Sequence, residues 1–246
     1  MSAAYGRFPA AQAPEPDRGA PVTSYAQQTI DSPNPVVRYA HRSRMRRSLE
    51  LALTRLGSGK LLDYGCGSGV FLAEVLARHP GRAVGYEPFM AERADTGLPI
   101  HATLEPIERS GPYSVVTLFE TIEHLTAPEL ESFLELCGRL LPTGGGILMS
   151  APIEIGPALL VKDLNRSGWG ARQSEHRLLE LLGAGLLGIP ARRAEDVKTS
   201  HRGFDFRRAR TALSGLGWRT RALCYGPLPG LGWYGNSQVY LWAERA

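Results

Sequence analysis

The chain has 246 residues, of which 43 % are hydrophobic, and its 28 basic and 24 acidic side chains leave a net charge of +4. That length suits one well-buried domain plus extensions and is short for two. No apolar run approaches the roughly 20 residues that cross a bilayer, and the Ala- and Pro-rich start (Met1 to Ala20) lacks the apolar core of a secretory signal, so a cytoplasmic protein is expected. The mild positive charge permits an acidic substrate without arguing for nucleic acid. Cys66, Cys137 and Cys224 stand at no metal or redox spacing, and no disulfide framework is expected. Lys60, Lys162 and Lys198 are the only lysines among the 28 basic residues, an arginine bias that points to a GC-rich host.

In chain order, residues 1–33 hold five prolines and few large apolar side chains. They read as a disordered tail, or as a lid formed by Tyr25 to Ile30. Pro35 opens a helix to about Leu56, with Met45, Leu49, Ala52 and Leu56 in one stripe. Strands are predicted at 60–64, 82–86, 98–101, 113–118 and 145–150, with helices at 69–79, 88–95, 127–140 and 203–215. Strands 217–224 and 237–243 flank a Gly/Pro-rich loop and predict a terminal antiparallel hairpin. The alternation predicts an α/β fold, a doubly wound seven-stranded sheet occupying residues 34–246. Residues 151–202 exceed a minimal connection and hold helical patches at about 156–165 and 174–187, the second apolar nearly all round. A helical cap over a substrate, a dimer interface and plain packing all fit this insertion.

The most informative stretch is Leu61-Leu62-Asp63-Tyr64-Gly65-Cys66-Gly67-Ser68-Gly69-Val70, a strand, a glycine turn and a helix start. Glu87 follows at the end of the next short apolar run, where a carboxylate accepts hydrogen bonds from a ribose diol. A dinucleotide fingerprint would place glycine where Val70 stands, and the lysine and hydroxyl of a phosphate-binding loop are absent. Asp-x-Gly-x-Gly-x-Gly resembles motif I of the class I S-adenosylmethionine (SAM) dependent methyltransferases. Residues 113–125 (Tyr113 through Thr117 to Leu125) resemble the motif after strand four in one branch of that family, which includes ubiquinone-biosynthesis O-methyltransferases and small-RNA 2′-O-methyltransferases. Residues 141–152 are similar to the motif that follows. The resemblance implies a Rossmann-like sheet and a SAM site. In it Asp63, Gly65 and Gly67 line the methionine half, Glu87 holds the ribose, and Pro88 and Phe89 border the adenine. Cys66, Phe119 and Glu120 complete the expected cofactor-binding set.

Glu120, Glu123 and His124 would share one face if their segment were helical. Two carboxylates and an imidazole suit a general base, with Glu123 and His124 as catalytic residues, or a divalent ion, Mg²⁺ or Mn²⁺. The small-RNA enzymes hold a metal with this Glu-x-x-Glu-His pattern and a downstream histidine, which implies the set Glu120, Glu123, His124 and His201, with His176 in reserve. Support of the cofactor loop alone fits equally. The basic run Arg38 to Arg47 is either a solvated face or a fork for an anionic substrate. Trp169, Trp218, Trp233 and Tyr234 are candidates for lining an acceptor pocket. The expected activity is transfer of a methyl group to a small molecule, anionic or apolar, O-methylation first, in bacterial specialised metabolism. The alternatives are a metal-dependent 2′-O-methyltransferase of RNA ends and a non-catalytic SAM-binding protein. No nucleic-acid or membrane partner is expected, and the sequence fits a monomer or a homodimer.

Overall fold

The computed structural model describes residues 35–88, 97–168, 177–193 and 201–246. The expected tail or lid, most of the expected helix 88–95, Phe89, Trp169 and His176 lie outside these residues. The described elements run α1 (Pro35–Leu56), β1 (Leu61–Tyr64), α2 (Val70–Arg78), β2 (Ala83–Tyr86), β3 (Ile100–His101), α3 (Leu104–Ser110), β4 (Val115–Phe119), α4 (Ala127–Leu140) and β5 (Gly146–Pro152). They continue as α5 (Pro157–Gly168), α6 (Leu178–Leu187), α7 (Phe206–Gly215), β6 (Trp218–Gly226) and β7 (Gln238–Arg245). Short 3₁₀ turns occupy Ile122–His124 and Pro229–Leu231.

One seven-stranded sheet has the order β3-β2-β1-β4-β5-β7-β6. β1 to β5 run parallel to one another, and β7 enters antiparallel between β5 and β6. The parallel strands are short and apolar because both faces are covered. Successive residues feed opposite sides. Leu61, Val115 and Leu148 pack with Leu49, Ala52, Leu56, Leu72 and Val75 of α1 and α2. Leu62, Val116 and Ile147 pack with Ile107, Phe133, Cys137, Leu140 and Leu213 of α3, α4 and α7. The start of α4 is fixed by Glu129, whose carboxylate accepts the Thr126 backbone N–H at 2.9 Å. Asp205 closes the start of α7, accepting from the Arg207 N–H at 2.9 Å.

α3 is absent from the elements expected of the sequence. Seven residues carry too little periodicity to register, although Thr103 and Pro106 are N-cap and first-turn residue types. Within the insertion, α5 and α6 approach closely because Gly185 has no side chain. A Cβ there would lie 2.6 Å from Leu160. Only Ala184 and Gly185 of α6 are buried, while Leu178, Leu179, Leu186 and Leu187 are exposed. Trp233 joins the 226–235 loop to the insertion, lying 3.2 Å from the Cβ position of Gly156 and 3.4 Å from that of Gly188.

The tightest approach inside the sheet is at Gly146, where a Cβ would lie 2.4 Å from the Trp242 ring and 2.7 Å from the Ala243 carbonyl oxygen. Gly146→Ala is expected to cost about 1–3 kcal/mol of unfolding free energy, read from urea or thermal unfolding. Gly183→Ala, on an open helix face, is expected to be neutral or to stabilise by up to about 1 kcal/mol.

Candidate active site

Parallel strands deliver their carboxyl ends to one edge, and the loops after β1, β2 and β4 meet there. The turn after β1 reverses through Gly65 (φ 73°), Gly67 (φ 56°) and Gly69 (φ 77°), all in the left-handed region that L side chains avoid. The Tyr86 carbonyl pins it, accepting the Gly65 N–H at 2.8 Å and the Cys66 N–H at 3.2 Å. A Cβ on Gly65 would sit 2.9 Å from the Thr121 side chain, so the β1 and β4 loops are pressed together across a bare backbone. Glu87, directly after β2, accepts the Gly67 N–H at 2.9 Å. Cys66 is half-buried, and a Cβ on Gly85 would lie 2.7 Å from its Sγ. Pro88 is exposed.

Asp63 is buried in the sheet beneath this turn, paired in register with Thr117 of β4. The Thr117 hydroxyl donates to its Oδ1 at 2.7 Å. Burial pushes its carboxyl up to about 7, against the opposing effect of that hydrogen bond, with the nearby Glu87 charge adding to the rise.

The segment after β4 is helical only in part. Phe119 is half-buried and meets Phe71 edge-on at 4.8 Å. Glu120 adopts a left-handed conformation (φ 50°), and only Ile122–His124 form a 3₁₀ turn. Glu120 is held by other groups. Its carboxylate accepts from Arg44 Nη1 at 2.7 Å, from Ser150 Oγ at 3.1 Å and from Gln238 Nε2. Glu123, His124 and His201 do come together, with one ligand atom from each within 4.8 Å of the others. Glu120 is outside this group of three.

Glu123 is 2 % exposed, and neither carboxylate oxygen has a hydrogen-bond partner among the described residues. Its Oε1 lies 3.5 Å from His201 Nδ1 and 4.0 Å from His124 Nε2, and the two imidazoles meet edge-on at 5.2 Å. Arg193 donates to the Glu123 carbonyl oxygen. Burial first, and then the Glu120 charge, pushes the Glu123 carboxyl up to about 8. His201 is held below its ordinary value by burial and by Lys162. Sequence reasoning did not reveal Ser150, Arg193 or Gln238. Each reaches the site through a pairing that no local spacing encodes. Arg44 stood in the basic run without an indicated partner.

A sheet of this order, with a glycine turn after β1 and a carboxylate directly after β2, defines a Rossmann-like methyltransferase fold. The chain belongs to the methyltransferase-domain family, whose profile matches residues 37–182. Solved structures of similar fold include a SAM-dependent methyltransferase from Archaeoglobus fulgidus (13 % identity, TM-score 0.52, covering 83 % of this chain and 94 % of that one). The methyltransferase domain of bacterial CtHen1-C is another (16 %, TM-score 0.51, 83 % and 98 %). A third is the plantazolicin methyltransferase BpumL, in complex with a triazolic desmethylPZN analog and SAH (13 %, TM-score 0.50, 89 % and 94 %). No curated protein matches the sequence. The enzyme is a SAM-dependent methyltransferase. No helix among the described residues is long and apolar enough to cross a membrane.

The residues at the carboxyl edge fit SAM. The turn presents backbone without Cβ atoms on a side that only glycine tolerates, Glu87 supplies a carboxylate able to accept from a diol, and Asp63 supplies a second acid below it. Asp63 also gives the fold a pH dependence. The folded protein keeps its proton up to about pH 7, whereas an unfolded chain releases it near 3.8. More protons are bound in the folded state between those values, so stability falls as pH rises across that window and levels off above it. Asp63→Asn is expected to flatten this slope, measured as the urea midpoint at pH 4.5, 5.5, 6.5 and 7.5.

Proposed function

We propose that the enzyme methylates a hydroxyl group of a small-molecule acceptor, with Glu123, His124 and His201 receiving the hydroxyl proton. The observation that carries this reading is the buried Glu123 carboxyl, unpartnered and facing two imidazoles. An isolated buried carboxylate is costly unless it shares a proton or a cation. The environment separates the proton affinities of the cluster: Glu123 is raised and His201 lowered. Paired groups displaced in opposite senses suit acid–base work near neutral pH. Both imidazoles are half-buried; His124, in the loop after β4, is assigned as the base nearest the acceptor, with Glu123 orienting it and sharing the proton.

SAM, when bound, supplies an activated methyl group on a sulfonium. Glu87 is assigned to the ribose hydroxyls, and Asp63, Gly65, Cys66 and Gly67 to the amino-acid half. Pro88, Phe119 and the left-handed backbone at Glu120 border the rest of the cofactor. Beyond that, the protein aligns the acceptor and excludes water. The insertion, tied to the 226–235 loop through Trp233, is assigned as the cap that does so. The GC-biased composition suits bacterial specialised metabolism.

One observation favours a second reading. The convergence of Glu123, His124 and His201 offers a divalent ion one carboxylate oxygen and two imidazole nitrogens. With Glu120 turned to Arg44, that donor set suits Mn²⁺ or a similar borderline ion better than Mg²⁺. A metal would also strengthen the alternative acceptor, the terminal 2′-hydroxyl of RNA.

Native mass spectrometry before and after EDTA separates these readings. The proton-acceptor reading expects SAM or SAH bound, no divalent ion, and methyl transfer to a panel of phenols and hydroxy acids that EDTA leaves unchanged. An ion removed by EDTA, and missing from Glu123→Ala, would establish the metal reading instead. Glu123→Gln is expected to lower kcat by about 10²–10⁴ with SAH affinity retained. Failure of the wild type to bind SAH at all would overturn both.

A further inference from the structure

The basic run of α1 and the last hairpin enclose a pocket of about 140 Å³ that none of these roles uses. Ser43, Arg44, Arg46 and Arg47 line one wall, with Ser237 and Gln238 opposite. Tyr225, Pro227 and Pro229 supply a rigid, mostly apolar rim. No carboxylate of the described residues lines it. Arg44 is balanced by Glu120 at 2.7 Å and Arg47 by Glu50 at 2.9 Å. Arg46 is exposed and has neither an ion-pair nor a hydrogen-bond partner among the described residues. The pocket therefore carries one surplus positive charge beside several hydrogen-bond donors.

Topology places this pocket next to the chemistry. Because β7 is antiparallel, its first residue, Gln238, pairs with the last residue of β5, Pro152, at the carboxyl edge of the parallel strands. The amino-terminal half of α1 lies at the same edge, held there by the Tyr240 hydroxyl, which donates to the Arg44 carbonyl oxygen at 3.2 Å. Arg44 and Gln238 face the pocket and also hold Glu120, three residues before Glu123. An anion seated here would be one side chain removed from the segment that carries the proton acceptor.

We infer that this pocket binds an oxyanion, a carboxylate or a phosphate monoester, borne by the small-molecule acceptor. The inference rests on the proposed reading of a small-molecule acceptor and specifies its class. Guanidinium groups match the planar or tetrahedral oxygens of such anions, and serine hydroxyls complete the donors. The volume admits the charged group and a few neighbouring atoms, leaving the rest of the acceptor to extend toward the β4 loop. The arginines thereby fix which end of the acceptor enters first.

The test is calorimetric titration of the protein with inorganic phosphate and with acetate, at ionic strength held constant with sodium chloride. SAH is titrated into the same samples. Phosphate or acetate is expected to bind the wild type, and Arg46→Gln to weaken that binding about tenfold, the loss of one charge-assisted hydrogen bond. Arg47→Gln should weaken it in the same direction, Arg208→Gln on the exposed face of α7 should not, and SAH affinity should stay within twofold throughout. Whichever anion shows the Arg46 dependence names the oxyanion. Binding no tighter than chloride, or an equal loss in Arg208→Gln, would overturn the inference. Displacement of phosphate by a short single-stranded RNA at lower concentration than by phenyl phosphate would overturn it in favour of a nucleic-acid acceptor. If the wild type failed to bind SAH while still binding phosphate, the methyl-transfer reading would fall and the anion pocket would stand.

Discussion

Four acids crowd the carboxyl edge of this sheet, and the structure of the site follows from how each negative charge is handled. Parallel strands end together, so Asp63 of β1 and Glu87, Glu120 and Glu123 in the loops beyond are brought near one another, where the Glu87 charge raises the Asp63 carboxyl and the Glu120 charge raises that of Glu123. Asp63 answers with a proton and the Thr117 hydroxyl, and Glu87 with the N–H of Gly67. Glu120 is met by the Arg44 guanidinium, Ser150 and Gln238. Glu123 has no such donor, and Glu120 raises it further while Arg44 lowers it. The arginine of α1 therefore does more than pair with one acid. By neutralising Glu120 it moderates the proton affinity of the residue assigned to chemistry.

The strands and the glycine turn were legible because their causes are local. Buried parallel strands must be apolar runs, as at Leu61-Leu62 and Val115-Val116, and left-handed turns must be glycine, as at Gly65, Gly67 and Gly69. The antiparallel hairpin was legible from the Gly- and Pro-rich loop between two alternating runs. α3 was not, since seven residues make barely two turns. The surroundings of Glu120 were not legible for a different reason. The i, i+3, i+4 argument presumes a helix, and nothing in the sequence marks a glutamate that takes φ 50°. Its partners Arg44 and Gln238 lie 76 and 118 residues away. Pairings at such separations are fixed by the sheet order, which local patterns do not contain. The resemblance suggested Glu123, His124 and His201 together, and their ligand atoms do lie close to one another, while the burial of Glu123 is visible only in three dimensions.

α1 joins two environments with one rigid rod. Its carboxyl-terminal half fills the core through Leu49, Ala52 and Leu56, and its amino-terminal half lines the arginine pocket and reaches Glu120. Side chains on a helix anchored this way lose little further freedom on engaging a ligand, which favours orientation over adaptability. The insertion has the opposite character. α6 buries only Ala184 and Gly185 and leaves most of its leucines in solvent.

The antiparallel placement of β7 also bears on how the protein is made. A chain emerging from the ribosome presents β1, β2, β4 and β5 long before Gln238. Until β7 docks between β5 and β6, one edge of β5 lacks its ladder partner and Glu120 lacks its amide donor. The early sheet is therefore an open template with a charged rim, the kind of species that recruits other strands or chaperones. Arrival of the last strand caps that edge and finishes the rim in a single step. A nascent chain halted before it would hold the whole glycine turn and lack the Gln238 donor to Glu120.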